Sequence, residues 1–409
     1  MPRLNRTTVA LLAVLLPIAV ATIVGLVLLW PSGARPSTGI VDLGADYPKA
    51  RVTAVETTAC QGVNEDRRAD GSIPDTGPCT QVTAVLTSSD RAGTSVQVWT
   101  PATVAADDVP KGTNIVLLRY PPTTTDEEAW AWYDYDRGLP LSVLVFAFAV
   151  AVVAVARFRG LRALVGLAIA FGVIGAFVLP AVLEGRDAPM VGLVAAAAIM
   201  FVVLPLAHGF THRTTTALLG TLTGLAVTAA LGAAAAKAAH LTGTSTEQSY
   251  QLSLAIGRAD GSALSGIFVC GVILAGLGVL NDVTITQASA LWELRAADPT
   301  ANRRSLFAGA MRIGRDHIAS TVYTIAFAYT GAALPILLMV EVFRYPLLQT
   351  LTSGEFAEEI ARTAVSSIGL VLAIPLTTAI GAVVVTSVPA ARIRAGHGAG
   401  GPGSHSHGV

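Results

Sequence analysis

Charged residues are scarce in this chain. Asp, Glu, Lys and Arg make up 13% of its 409 residues, about half of the quarter that is usual in soluble domains. The 27 basic residues balance 27 acidic ones, so no net positive charge points to nucleic acid. Three cysteines are too few for a disulfide-rich scaffold. With 53% hydrophobic residues the chain is neither disordered nor a soluble domain, which leaves an integral membrane protein.

Motifs of common enzymes are missing as well. The sequence contains no H-E-x-x-H, no G-x-S-x-G and no P-loop, so the usual zinc-protease, serine-hydrolase and nucleotide sites are excluded. His208 and His212 have a spacing that can hold a metal on a helix. No Cys or carboxylate lies near them in the sequence, so we expect a structural pair. We therefore expect no enzymatic activity, no metal and no cofactor.

Long apolar runs dominate the rest of the sequence. A helix that crosses a hydrocarbon core of about 30 Å needs about 20 apolar residues. Charge-free runs of about this length occupy residues 9–30, 139–156, 163–183, 189–207, 214–236, 263–281, 318–340 and 364–388. They predict an α-helical integral membrane protein of about eight transmembrane helices, with a small extracytoplasmic β-rich domain after the first.

Lys and Arg are distributed unevenly between the loops that join these runs. Basic loops stay in the cytoplasm. The bias therefore predicts that both termini lie on the cytoplasmic side of a bacterial cell membrane and that the polar stretch 31–138 lies outside the cell. The predicted parts are an N-terminal transmembrane anchor (1–30), an extracytoplasmic β-rich domain (31–138), a seven-helix bundle (139–392) and a disordered cytoplasmic tail (393–409).

The predicted outer domain alternates between apolar and polar side chains at 51–55, 81–86, 95–99 and 114–118. This alternation, with turn residues between the stretches, predicts a small antiparallel β-sandwich or partial barrel. Cys60 and Cys79 lie in the same region, and closing a loop of about 20 residues gains about 3 kcal/mol in the entropy model. We expect a structural disulfide. The aromatic side chains at 130–135 suggest an anchor at the lipid headgroups.

Polar residues recur in the segment that follows the sixth apolar run. In a helix they share one face, because they are spaced by four, three and four residues: Asp282, Thr286, Ser289 and Glu293. Two interpretations remain open. Either the membrane helix ends at Asn281 and the polar face lies at the cytoplasmic interface, or the helix continues with Asp282 inside the membrane. An embedded carboxylate normally marks an ion or substrate path.

The seventh run begins beside two further polar residues, Asp316 and His317. Asp316 either caps the helix, where the helix dipole favours a carboxylate, or faces the polar side chains of the preceding span. The candidate residues for a polar path are Asn281, Asp282, Thr284, Thr286, Gln287, Ser289, Glu293, Asp316 and His317.

These two segments carry a family resemblance. The stretch LNDVTITQASALWELR at 280–295 and the stretch GRDHIAST at 314–321 resemble the signature regions of the YibE/F-like family of bacterial multipass membrane proteins. The layout of one leading span, an outer domain and seven further spans is similar too. Members are mostly described as membrane proteins of uncharacterised role, some of them suspected of transport. The resemblance therefore implies a fold and little about activity.

Two hypotheses for the function follow. The first is a transport-type permease that moves a small solute or ion through a polar path near the sixth and seventh spans. The second is a non-transporting scaffold or sensor whose outer β-domain binds a cell-surface partner. The lipid bilayer is an expected partner and nucleic acid is not. Close packing of helices is favoured by glycines at 266, 271, 276 and 278. Such Gly-rich faces can join helices within one chain or between the subunits of an oligomer.

Overall fold

The computed structural model describes residues 6–33, 45–61, 72–73, 75–88, 90–122, 128–243, 245, 247–255, 261–344 and 346–389. The predicted tail 393–409 lies outside the described residues. The chain divides into two compact units, one formed by Ile40–Ala151 and the other by Met1–Gly39 with Val152–Val409.

The first unit contains an antiparallel sheet. Its strands are β1 (Lys49–Gln61), β2 (Thr76–Leu86), β3 (Ser95–Trp99), β4 (Asn114–Tyr120) and β5 (Ala129–Tyr135). The strand order is β3-β2-β1-β4-β5, with every neighbouring pair antiparallel. Each of the four alternating stretches in the sequence lies in a strand, so the prediction of antiparallel strands is confirmed, and they form one five-stranded sheet.

Alternate side chains of the strands fill one core. In β4, for example, Ile115 and Leu117 are fully buried, whereas Asn114 is exposed. The aromatic segment forms β5, and its Trp130, Trp132 and Tyr135 pack against this core. These three half-buried rings thus contribute to the sheet, and a position of the segment at the lipid headgroups stays a prediction.

A disulfide joins the first two strands. Cys60 and Cys79 are bonded, with Cα atoms 5.8 Å apart. In the register of the pair, Cys60 lies opposite Gly77 and Cys79 lies opposite Thr58, so the bridge runs diagonally between the strands. The predicted pairing is present in the structure.

A cluster of charges surrounds Arg119 on β4. Its side chain is 14% exposed and donates to one carboxylate oxygen of Glu128, while Arg91 donates to the other. The carboxylates of Asp46 and Asp90 lie 3.6 and 3.8 Å from Arg119 Nη1. Arg119 and Arg91 lower the pKa of the Glu128 carboxyl below its usual range, and the hydrogen bond from Arg119 has the largest effect.

The second unit is helical. The helices are α1 (Arg6–Leu29), α2 (Gly138–Val173), α3 (Leu179–Leu183), α4 (Ala188–His208), α5 (His212–Ala238), α6 (Glu247–Ala255), α7 (Gly261–Ala297), α8 (Arg303–Ala332), α9 (Leu334–Phe343), α10 (Leu347–Leu351) and α11 (Gly354–Thr386). The boundary between the units lies within α2, after Ala151. Within the described ranges, six helical runs are long and apolar enough to cross a membrane, or seven if the bent pair α8–α9 counts as one.

The longest run extends for 46 residues, from Gly138 to Leu183. At 1.5 Å per residue it would measure about 69 Å, more than twice a hydrocarbon core of about 30 Å. Arg157 interrupts it with φ 54° and ψ −131°, between the predicted spans 139–156 and 163–183. The run therefore has room for both spans, with a break where the sequence predicts a basic loop.

The seventh predicted span, 318–340, is bent. Its first helix, α8, begins at Arg303, where the side chain of Asn302 caps it by accepting from Ser305 N. α9 begins at Leu334, and the two axes differ by 61°. Pro335 in the first turn of α9 lacks an N–H to continue the preceding helix. The predicted run 318–340 is therefore divided between two helices, and the first of them begins at Arg303.

Four helices, α4, α5, α7 and α11, form the core of this unit. Glycines bring their backbones together: a Cβ at Gly220 would lie 2.2 Å from Thr377 Oγ1, and one at Gly369 would lie 2.1 Å from Thr228 Oγ1. Three of the four glycines singled out on α7 face residues of the same chain, namely Gly266, Gly271 and Gly276. A Cβ added at Gly278 would have nothing within 4 Å among the described residues.

Candidate functional site

Helix α7 carries most of the predicted path residues. It extends for 37 residues, from Gly261 to Ala297, and continues past Asn281 without interruption. The polar face at 282–293 therefore belongs to the same helix as the apolar part before it. Its residues divide between the outside and the inside of the bundle.

The acidic members of the set lie on the outside. The side chain of Asp282 is 69% exposed, and its Oδ2 lies 3.8 Å from Nε2 of His317 on α8. Glu293 and Asp316 are also exposed. The residue of α8 that approaches Asp282 is thus His317, because Asp316 points about 100° away from it around the helix.

Thr286 and Ser289 are half-buried on the same face of α7. Ser289 Oγ donates to the carbonyl of Ile285 at 2.7 Å, which satisfies the hydroxyl within its own helix. Asn281 is half-buried as well, and its Oδ1 has no hydrogen-bond partner in the described part of the chain.

Thr284 and Gln287 lie on the inside, between α5, α8 and α11. Thr284 is fully buried, and its hydroxyl oxygen lies 2.6 Å from that of Thr221 on α5. Gln287 Nε2 donates to the carbonyl of Ala310 on α8 and to Thr378 Oγ1 on α11, both at 2.8 Å. These two side chains join four helices through polar contacts.

They belong to a larger group that we name the polar column. From the buried polar side chains of α5, α7 and α11 we include Thr216, Thr221, Thr228, Thr284, Gln287, Glu358, Ser366, Thr377 and Thr378. Contacts between helices join Thr221 to Thr284 and Gln287 to Thr378. Along α11, 20 residues separate Glu358 from Thr378, which corresponds to about 30 Å. The column is therefore as long as a hydrocarbon core is thick.

Glu358 forms one end of the column. It is 5% exposed, and its Oε1 accepts hydrogen bonds from Gly243 N at 3.0 Å and Ser245 Oγ at 2.7 Å. One turn later, the guanidinium of Arg362 lies 5.2 Å over the ring of Phe268. Both charged side chains thus have partners outside their own helix.

The members of the column on α5 and α11 were not predicted from the sequence. The predicted last span begins at 364, because Glu358 and Arg362 lie before the charge-free run. A usable signal was present: polar or small side chains recur every three or four residues along one face of α11 at 358, 362, 366, 369, 373 and 377.

Two hydroxyls in the column have no partner. Ser366 Oγ and Thr377 Oγ1 are buried, and neither makes a hydrogen bond within the described ranges. Buried polar groups are normally satisfied, so each exception calls for an explanation. Both can donate to, or accept from, a polar species that enters the column.

Metal-binding side chains do not gather in the described residues: no group of three or more His, Cys, Asp and Glu is found there. His208 and His212 have different surroundings. His212 Nε2 lies 3.2 Å from Thr8 Oγ1 of α1, whereas His208 is exposed at the end of α4.

Comparison with known proteins identifies the family. No curated protein and no solved structure matches the chain. The sequence model of one family, described as YibE/F-like protein, matches residues 144–387. This range is more than half of the chain and contains the whole polar column together with both segments that suggested the resemblance. The chain therefore belongs to the YibE/F-like family.

Proposed function

We propose that the protein is a membrane permease that moves a small solute or ion along the polar column. The observation that carries this proposal is the length of the column, about 30 Å from Glu358 to Thr378. Polar and ionisable groups are costly inside a membrane and usually mark a path for substrate or ions. Of the predicted path residues, Thr284 and Gln287 belong to the column, and the path runs between α5, α7 and α11.

The threonines of the column favour an interface that opens. Four of them donate to the carbonyl four residues earlier in their own helix, at distances from 2.7 to 3.0 Å: Thr216, Thr221, Thr228 and Thr378. When α5 and α11 separate, these hydroxyls keep their partners. Opening the interface therefore leaves few buried donors unpaired, and unpaired donors would be costly.

Under this proposal, the close packing of α5 against α11 closes the path. Thr228 and Thr377 fill the space beside Gly369 and Gly220, and both threonines are fully buried. A solute passes only after α5 and α11 move apart. In the orientation that the Lys and Arg bias predicts, Glu358 lies at the outer end of the column and Thr216 at the cytoplasmic end.

Flux measurements in proteoliposomes test the proposal. A panel of inorganic ions and small solutes is screened with the wild-type protein, and any positive flux is then compared between two variants of α5. Thr221→Val removes the hydroxyl that meets Thr284, and we expect it to lower the flux several-fold. Thr223→Val is the matched control, because Thr223 also donates to its own helix, at 2.6 Å from the Leu219 carbonyl, and lies outside the column.

Equal flux in the two variants would refute the path. A second pair tests α7: Gln287→Leu should reduce the flux, whereas Ser289→Ala should not. Asp282→Asn distinguishes a path along the column from a path along the exposed polar face of α7 that carries Asp282. Normal flux in that variant would rule out an ion path through Asp282. Loss of flux would instead indicate a path between α7 and α8, where Asp282 lies near His317.

One observation favours the alternative, a scaffold or sensor. Tyr47 and Tyr133 are each 56% exposed on the sheet, and their rings meet edge to face at 4.8 Å. Exposed aromatic pairs are typical of binding surfaces. If no solute moves and Tyr133→Ser abolishes retention of a cell-surface partner, this second function replaces the first, and the threonines serve only to join helices.

A further inference from the structure

A separate cavity lies at the break in α2, away from the polar column. Its volume is about 620 Å³, and its walls are formed by residues 152–163 of α2 and by the turn between α4 and α5. Three arginines line it, namely Arg159, Arg162 and Arg213, together with His208. The lining contains no Asp or Glu.

These arginines differ from others in the chain. Arg91, Arg119 and Arg362 are paired with carboxylates. By contrast, none of the three cavity arginines forms an ion pair with a described residue. The guanidinium of Arg162 lies 6.0 Å over the ring of Phe158, which orients it without neutralising it. Three like charges around one cavity repel one another, and an anion between them removes that repulsion.

The backbone around the cavity is specifically arranged. Arg157 and Gly209 both have positive φ, 54° and 79°, at the break in α2 and at the end of α4. Gly160 packs so closely that an added Cβ would lie 2.5 Å from the carbonyl oxygen of Val152. Only glycine tolerates that contact. Gly160 therefore lets the chain on the two sides of the break pack together, beside Arg159 and Arg162.

We infer that this cavity binds a phosphate-class anion, either the headgroup of an anionic lipid or a soluble phosphate compound. One guanidinium group can bind two phosphate oxygens through paired N–H donors, and three arginines line this cavity. A volume of about 620 Å³ is typical of pockets for whole organic ligands, so a phosphate ester fits better than the bare ion. Basic pockets between membrane helices on the cytoplasmic side are known to bind anionic headgroups, and the charge bias predicts that side for both loops.

Binding is measured on the full-length protein in neutral detergent, with two probes. Phosphatidylglycerol, offered in equal mixture with phosphatidylcholine, is quantified by native mass spectrometry. Inorganic phosphate is titrated by calorimetry. We expect Arg159→Gln and Arg213→Gln each to weaken binding about fivefold. Arg213→Lys keeps the charge but loses the planar fork, so its affinity should lie between those of wild type and Arg213→Gln.

Arg304→Gln is the matched control, because Arg304 is exposed at the start of α8 and outside the cavity. Preferential retention of phosphatidylglycerol, lost in the cavity variants, supports the site with a lipid as its source. Saturable phosphate binding, lost in the same variants, supports it with a soluble source. The inference is overturned if neither probe binds, or if Arg304→Gln weakens binding as much as the cavity variants. Arg159 is exposed, so Arg159→Gln keeps the test valid even if Arg213→Gln fails to fold.

Discussion

Replacing Gly369 by Ala tests how closely α5 and α11 pack in the polar column. The new Cβ would lie 2.1 Å from Thr228 Oγ1 and 3.3 Å from Thr228 Cβ. That hydroxyl donates to the carbonyl of Gly224 at 2.9 Å, so it loses a hydrogen bond if it rotates away. Overpacking a core typically costs about 1–3 kcal/mol, whereas Ala gains about 1 kcal/mol over Gly in a helix. We expect a net loss of stability of up to about 2 kcal/mol.

The chain contains its own reporter for this measurement. Cys270 on α7 is the free cysteine and is 5% exposed, and the other two cysteines are joined in the disulfide. A thiol-reactive fluorescent dye therefore signals unfolding of the bundle during a thermal scan in detergent without reductant. The expected result is a lower melting temperature for Gly369→Ala than for wild type.

Gly278→Ala is the control, because no described residue lies within 4 Å of its added Cβ, and it should melt at or above the wild-type temperature. Gly220→Ala should behave like Gly369→Ala, since its Cβ would meet Thr377 Oγ1 at 2.2 Å. If Gly369→Ala and Gly278→Ala have the same melting temperature, the close contact between α5 and α11 does not exist. The arrangement described for the polar column would then be wrong.

Three further predictions concern the unit that contains the sheet and the orientation of the chain in the membrane. Cys60 and Cys79 should resist alkylation in intact, non-reduced cells and react after reduction, and labelling of both without reductant would contradict the bond. A reporter active only in the cytoplasm should work when fused after Arg295 and be silent near Thr113, and the opposite pattern would reverse the orientation. The lowered pKa of Glu128 means that its contribution to stability is complete above the ordinary glutamate pKa and is lost as the pH falls through the lowered value. In the full-length protein, the protease resistance of the sheet should therefore depend less on acid in Glu128→Gln than in wild type, and identical acid profiles would show that this ion pair contributes nothing.

The strands were predictable because their signal is local. Alternation with a period of two needs only neighbouring residues, and Ile115 and Leu117 are buried where the pattern puts them. The fifth strand was missed for a physical reason: Trp130 and Trp132 suit both a sheet core and a membrane interface, and an isolated sequence does not distinguish the two.

The buried face of α7 shows why the site was only partly predictable. Asp282, Thr286, Ser289 and Glu293 share one face, as predicted. Leu280, Thr284, Gln287 and Leu291 repeat with the same spacing and form the buried stripe. Periodicity identifies faces, but the choice between them is made by α5 and α11, which are distant in sequence.

Glu358 was missed for a related reason. A carboxylate near the start of an apolar run looks like the end of a span, because a charge is costly in the membrane unless it is satisfied. Its partners, Gly243 and Ser245, lie 115 and 113 residues earlier in the chain. Only the folded chain brings these donors to the carboxylate.

The diagonal disulfide between β1 and β2 keeps the two strands covalently linked even when the chain between them is cut. Its two cysteines are 19 residues apart, so the segment between them forms a covalently closed ring with the bridge. Hydrolysis of one peptide bond inside that ring would leave both strands attached, each still in register with its neighbour. If this unit lies outside the cell, as the Lys and Arg bias predicts, a single proteolytic cut in that ring leaves the two strands joined through the disulfide.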